Sequence, residues 1–143
     1  MILGIANDHA GFLLKERLLE YFKEKGIQYI NYGSNSTESV DYPDYGHRLA
    51  KAVEDHEVDL GISICGSGNG ISIAANKHQN IRSAVCWNKE ISHLARLHND
   101  ANICSLPGRF LTTEDAIAII DEFLNTKFEG GRHVIRINKI PLQ

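Results

Sequence analysis

Cys65 closes an apolar run, Val58–Cys65, and is followed at once by Gly66-Ser67-Gly68-Asn69-Gly70. A short apolar run bounded by an acidic residue and a glycine cluster reads as a buried strand. Beyond the loop, Ile71, Ala74 and Ala75 fall at helical spacing. A strand, a tight loop and a helix start aim backbone N–H groups at one spot, with a positive helix end behind them. Such a turn suits an anion, or an oxygen that becomes anionic during a reaction. The spacing is G-x-G-x-G; Ile71 occupies the last place of the dinucleotide fingerprint, and no Gly-Lys-Ser/Thr follows, so neither nucleotide motif is present. Two readings stand side by side: a cradle for ligand oxygens, or a turn that needs glycine geometry and nothing else. Cys65 likewise reads either as a small buried hydrophobe or as a nucleophile or base, activated by a nearby helix N-terminus and flanked by oxyanion donors.

Other residues could join it. His9 follows Asp8 in the loop after the first strand, and His98 continues the stripe Ile91, Leu94, Ala95, so it faces inward at a helix end, as a core imidazole or an acid/base. Asn99 and Asp100 supply polar neighbours. Arg132 and Arg136 are four apart on one face after Gly130-Gly131, a solvated basic surface or a phosphate clamp; Arg109, after Pro107-Gly108, is a third loop cation. Cys86 and Cys104 lie in plain strand contexts and read as packing. His93 and His98 do not share a helix face and no H-E-x-x-H occurs, so no metal site is expected.

The elements that must position these groups alternate along the chain. Strands are expected over Ile2–Ala6, Ile27–Tyr32, Val58–Cys65, Arg82–Trp87 and Ala101–Leu106. Helices are expected over Phe12–Lys25, from Pro43 to about His56, from Ile71, over Lys89–His98 behind an Asn88 cap, and from a Thr112 cap to Asn125. In the first helix Leu14, Leu18 and Phe22 face the core, while Lys15, Glu16, Lys23 and Glu24 take the solvent face. Five strand–helix repeats imply an α/β, single-domain, Rossmann-like three-layer sandwich: a five-stranded parallel sheet and a C-terminal helical tail. Ligands of such sheets sit beyond the strands' carboxyl ends, which puts Asn7–Gly11, Cys65–Gly70 and Trp87–Lys89 on one rim.

Composition narrows the class. The 143 residues, 43% hydrophobic and 23% charged, are globular values. A net charge of −3 gives no reason to expect nucleic acid or an anionic membrane. No apolar run approaches the roughly 20 residues of a membrane span, no signal peptide opens the chain, and three widely spaced cysteines suggest neither disulfides nor a zinc knuckle. A cytoplasmic location is expected.

Five segments together resemble the ribose-5-phosphate isomerase B family, which includes the galactose-6-phosphate isomerase subunits. They are Asp8-His9-Ala10-Gly11-Phe12, Asp41-Tyr42-Pro43, Ile64–Lys77, His98-Asn99-Asp100-Ala101-Asn102 and Glu129-Gly130-Gly131-Arg132-His133. The resemblance implies cofactor-free and metal-free isomerisation of an aldose phosphate to a ketose phosphate. It also implies a homodimer or dimer of dimers, with sites between subunits. Cys65 matches the family's proton-abstracting base and His98 the group that opens the sugar ring. Asp8, His9 and Asn99 match substrate-binding residues. Gly66, Ser67, Gly68, Asn69 and Gly70 match the loop that holds the enediolate oxygens. Arg109, Arg132 and Arg136 match the phosphate contacts. Some members use a loop-helix glutamate instead of the cysteine; Ala74-Ala75 offer none, which puts the chain in the cysteine branch. The reaction expected is D-ribose 5-phosphate to D-ribulose 5-phosphate. The alternatives are a six-carbon substrate (allose or galactose 6-phosphate) and, in a different class, a non-catalytic sugar-phosphate sensor.

Overall fold

The computed structural model describes residues 1–142. Five parallel strands, β1 (Ile2–Asn7), β2 (Gln28–Asn31), β3 (Leu60–Cys65), β4 (Ser83–Val85) and β5 (Ile103–Pro107), form one sheet in the order β2-β1-β3-β5-β4. Helices α1 (Phe12–Lys25), α4 (Lys89–Asn99) and α5 (Thr113–Asn125) cover one face; α2 (Tyr42–Glu54) and α3 (Asn69–Ala75) cover the other. A short α6 (Arg132–Ile137) packs on α4 and is the helical tail. The three layers and the parallel sheet agree with the sequence reading. Among the described residues no helix is long and apolar enough to cross a membrane.

The strand period of two sorts side chains between the layers. Leu3, Ile5, Ile62, Ile64, Cys104 and Leu106 point to the α1/α4/α5 side, where Leu18, Phe22, Ile120 and Phe123 meet them, all fully buried. Burial of each large apolar side chain contributes about 1.5–3 kcal/mol. On the other face Gly4 and Gly61 let Leu49 of α2 lie against the sheet; a Cβ on Gly4 would stand 2.7 Å from Leu49 Cδ1. Local signals hold the helices in place. Gly26 ends α1 at φ +68°, the left-handed conformation that glycine adopts freely. Thr112 and Asp115 form a reciprocal capping box at the start of α5.

Lys15 departs from the amphipathic reading. It is wholly buried rather than on the solvent face. Its ammonium donates to the Ser34 carbonyl at 2.6 Å and to Asn35 Oδ1 at 2.7 Å. Helix α1 carries a charge inward because the aperiodic segment after β2 supplies oxygen acceptors there. Burial lowers the Lys15 pKa from the usual lysine value, with Glu16 pulling weakly the other way.

The topology fixes the place for a ligand. The chain leaves β1 toward the α1 face and leaves β3 toward the α3 face, and β1 and β3 are neighbours. The crevice between their carboxyl ends is the switch point of the sheet.

Candidate active site

Cys65 is the last residue of β3, in register with Pro107 at the end of β5. Cys65 lines a cavity of about 540 Å³ together with Asp8, Tyr42, Gly66, Ser67, Gly70, Arg109 and Phe110. Although only 5% exposed, the residue reaches that space. Hydrogen bonds on two sides hold the cavity together. On one side the Asp8 N–H donates to the Ile64 carbonyl at 3.2 Å. The Asp8 carboxylate accepts from the N–H groups of Ala10 (2.9 Å) and Gly11 (3.3 Å), which fixes the turn after β1. Gly11 has no room for a side chain, since a Cβ would fall 2.7 Å from the Ile64 carbonyl oxygen.

On the other side the Gly108 N–H donates to the Cys65 carbonyl at 2.9 Å and the Arg109 N–H to the Gly66 carbonyl at 3.1 Å. The Arg109 guanidinium consequently lies over the glycine loop, where a Cβ on Gly66 would meet Nη1 at 3.1 Å. Gly68 turns the loop at φ +77° into α3, which starts at Asn69, two residues before the expected Ile71. The Ser67 hydroxyl accepts the Asn69 N–H at 3.3 Å. Tyr42, at the start of α2, presses its ring on Gly70 and forms the far wall. A thiol, a guanidinium, a carboxylate and a glycine-rich turn thus converge at the switch point, an arrangement able to take a proton from a small phosphorylated substrate and hold its phosphate.

A ribose/galactose isomerase family model matches residues 3–140. The chain belongs to that family. It is 44% identical to ribose-5-phosphate isomerase B of Escherichia coli (strain K12) over 133 residues, covering 93% of this chain and 89% of that protein. It superposes on the solved ribose-5-phosphate isomerase B of Clostridium thermocellum with a TM-score of 0.96, at 47% identity over 98% of this chain and 95% of that one. The Mycoplasma genitalium ribose-5-phosphate isomerase B, solved with bound ribulose-5-phosphate, is 40% identical, with a TM-score of 0.92 over 97% of this chain and 93% of that one.

Within this isomerase family chain the expected site residues fall into two groups. Asp8, Cys65, Gly66, Ser67, Gly70 and Arg109 line the Cys65 cavity, and Gly68 and Asn69 shape its loop. His9 lies beside it with Nδ1 accepting the Val40 N–H at 3.1 Å, which ties the segment before α2 to the rim. His98, Asn99, Arg132 and Arg136 are elsewhere. Helix α4 runs from its Asn88 cap, beyond the end of β4, back to the start of β5. Its last turn therefore sits at the opposite rim of the sheet from Cys65. There His98 is half-buried rather than inward, its ring stacked on His133 with centroids 4.4 Å apart and planes 16° apart. Arg132 and Arg136 are exposed one turn apart on α6.

The residue patterns alone did not single out Tyr42, Phe110, Glu129 or His133. Tyr42, Glu129 and His133 occur in the segments that carry the family resemblance. Phe110 follows Arg109 on the same loop, and its position beside that cation was the available signal. Cys86 and Cys104 are fully buried, as packing residues should be; burial pushes the Cys104 thiol up, and its contact with Cys86 holds the latter down.

Proposed function

We propose that this chain is an aldose–ketose isomerase that interconverts D-ribose 5-phosphate and D-ribulose 5-phosphate. The observation that carries the reading is that Cys65 lines one cavity with the glycine loop and Arg109. In the proposed reaction His98 takes the anomeric hydroxyl proton and delivers one to the ring oxygen, giving the open aldehyde. Cys65, as thiolate, removes the proton on carbon 2. The electron pair moves into the bond between carbons 1 and 2, and charge gathers on the carbonyl oxygen. N–H groups of the Gly66–Gly70 loop face that oxygen, and each pre-aligned donor of this kind contributes about 3–4 kcal/mol. The thiol returns the proton to carbon 1, and the proton on the carbon 2 oxygen passes to the carbon 1 oxygen, leaving the ketone at carbon 2 and a hydroxyl at carbon 1. Asp8, His9 and Asn99 bind sugar hydroxyls, while Arg109, Arg132 and Arg136 hold the phosphate and fix the reacting carbons over the sulfur.

The two groups of residues meet, in this reading, across a homodimer. His98, Asn99, Arg132 and Arg136 of a second copy complete the Cys65 cavity of the first. Exposed apolar residues flank both groups: Phe110, 76% exposed, at the cavity, and Val134 and Ile135 on α6. A two-fold axis that buries one surface on the other creates two identical sites.

Assay of the purified protein on ribose 5-phosphate, allose 6-phosphate and galactose 6-phosphate tests the substrate. The highest kcat/KM is expected for ribose 5-phosphate. A preference for either six-carbon sugar would replace the substrate, and binding without turnover of any of them would make the chain a sensor.

A further inference from the structure

We propose that His98, Glu129 and His133 form a binding site for a divalent cation of intermediate softness, with Zn²⁺ as its natural probe. One donor atom from each of the three lies within 4.8 Å of the other two. Glu129 Oε2 is 3.2 Å from His133 Nε2 and 3.9 Å from His98 Nε2. The backbone is folded to bring them together. The Glu129 N–H donates to the Leu97 carbonyl at 3.0 Å, pinning the tail to α4 one residue before His98. Gly130 and Gly131, at φ +72° and +57°, then reverse the chain so that His133 returns over Glu129 and against the His98 ring.

His133 supplies the observation that points to a ligand. It is 6% exposed, and its Nε2 is buried without a hydrogen bond. The Glu129 oxygen is near it but lies off the direction in which the ring nitrogen can donate. Leaving a buried polar atom unpaired is unfavourable. A cation between the rings and the carboxylate removes that cost. Two imidazoles and one carboxylate form a three-ligand zinc set that leaves a fourth position for water. Nitrogen donors disfavour Mg²⁺ and Ca²⁺, which prefer all-oxygen shells. In a tetrahedral site the donor atoms stand about 3.3 Å apart. The set closes on an ion when the stacked rings tilt toward each other, and Glu129, on the exposed side, follows.

The site has a consequence that rests on the isomerase reading. An ion held by His98 takes the imidazole away from the sugar ring, so Zn²⁺ inhibits the enzyme reversibly.

Calorimetric titration of the whole protein with Zn²⁺ tests the binding. One ion per chain is expected. Glu129→Gln and His133→Phe, the second of which keeps the ring stack, should each weaken binding by more than about tenfold, since even outer partners of metal sites carry that much. Circular dichroism checks that both variants fold. Co²⁺ should show ligand-field bands without thiolate charge transfer. No saturable binding, a thiolate band, or equal affinity in both variants would overturn the site. Isomerase activity lost at one equivalent of Zn²⁺, restored by chelator and resistant in Glu129→Gln, supports both site and consequence. Binding with undiminished turnover keeps the cation site and removes His98 from the reaction.

Discussion

The carbonyl of Cys65 accepts the N–H of Gly108 at 2.9 Å, and this one bond couples the end of β3 to the loop that follows β5. The neighbouring bond from the Arg109 N–H to the Gly66 carbonyl extends the coupling by one residue on each strand. A sulfur and a guanidinium 44 positions apart in sequence are thereby set on one wall of one cavity. Neither side chain needs a flexible segment to reach it, which is the condition for holding reacting carbons in a fixed attitude.

Two glycines of the loop should respond differently to a methyl group. At Gly68, φ is +77° and a Cβ would press on the Leu106 and Pro107 backbone at 3.0–3.2 Å. Gly68→Ala should destabilise the fold by about 1–3 kcal/mol, a drop of roughly 3–10 °C in Tm. At Gly70 the obstacle is the Tyr42 ring, 2.5 Å from the added Cβ, and that side chain is free to swing. Gly70→Ala should leave Tm nearly unchanged and raise KM as Tyr42 is displaced in the cavity. Thermal melts and steady-state kinetics separate the two; equal effects on both quantities would contradict the assignment.

Lys15 gives a pH signature. Its pKa is lowered in the folded state, chiefly by burial, so over the window between the folded and unfolded values the unfolded chain binds more protons. Stability contributed at this position therefore rises as pH climbs toward 10.5, the ordinary lysine value, and is lower at neutrality. Lys15→Met should destabilise at pH 7 by about 1.5–3 kcal/mol through lost charge-assisted bonds to Ser34 and Asn35. Denaturant melts should show the gap between wild type and variant widening as pH rises toward 10.5. A gap that stays constant would refute the linkage.

Much of the architecture was legible in the residues. The Leu14, Leu18, Phe22 stripe and the Thr112 cap each act within a few positions, and each marks its helix correctly. Strand order was not legible, because alternation gives strand direction while the insertion of β5 between β3 and β4 is a property of packing. Lys15 was misassigned for a related reason: charge implies solvent unless distant oxygens meet it, and Ser34 and Asn35 lie 19 and 20 positions away. Cys65, its glycines and Asp8 line one cavity because the alternation puts their loops on one rim, whereas Arg109, read only as a loop cation, is brought there by the bonds from Gly108 to Cys65 and from Arg109 to Gly66. Tyr42 sits at the end of an aperiodic segment that offers no pattern. His133 joins His98 only because Gly130 and Gly131 turn the chain back.

The division of the expected residues between opposite rims makes a quantitative prediction about mixed subunits. Cys65→Ala and His98→Asn proteins should each be inactive alone. Unfolded together in equal amounts and refolded, half of the dimers are hybrids with one intact site of two, so activity should recover to about a quarter of wild type. No recovery would mean that both residues act within one chain or that one of them does not act.

The central claim is that the Cys65 sulfur carries the proton between carbons 1 and 2. The direct measurement is turnover of ribose 5-phosphate in D₂O, with deuterium located by NMR, for wild type and for Cys65→Ala. Wild type should place solvent deuterium on carbon 1 of ribulose 5-phosphate. Cys65→Ala, folded by circular dichroism, should lose turnover and exchange by about 10²–10⁴-fold, the usual contribution of a positioned base. A variant that still isomerises and exchanges within a few-fold of wild type would show that another group moves the proton.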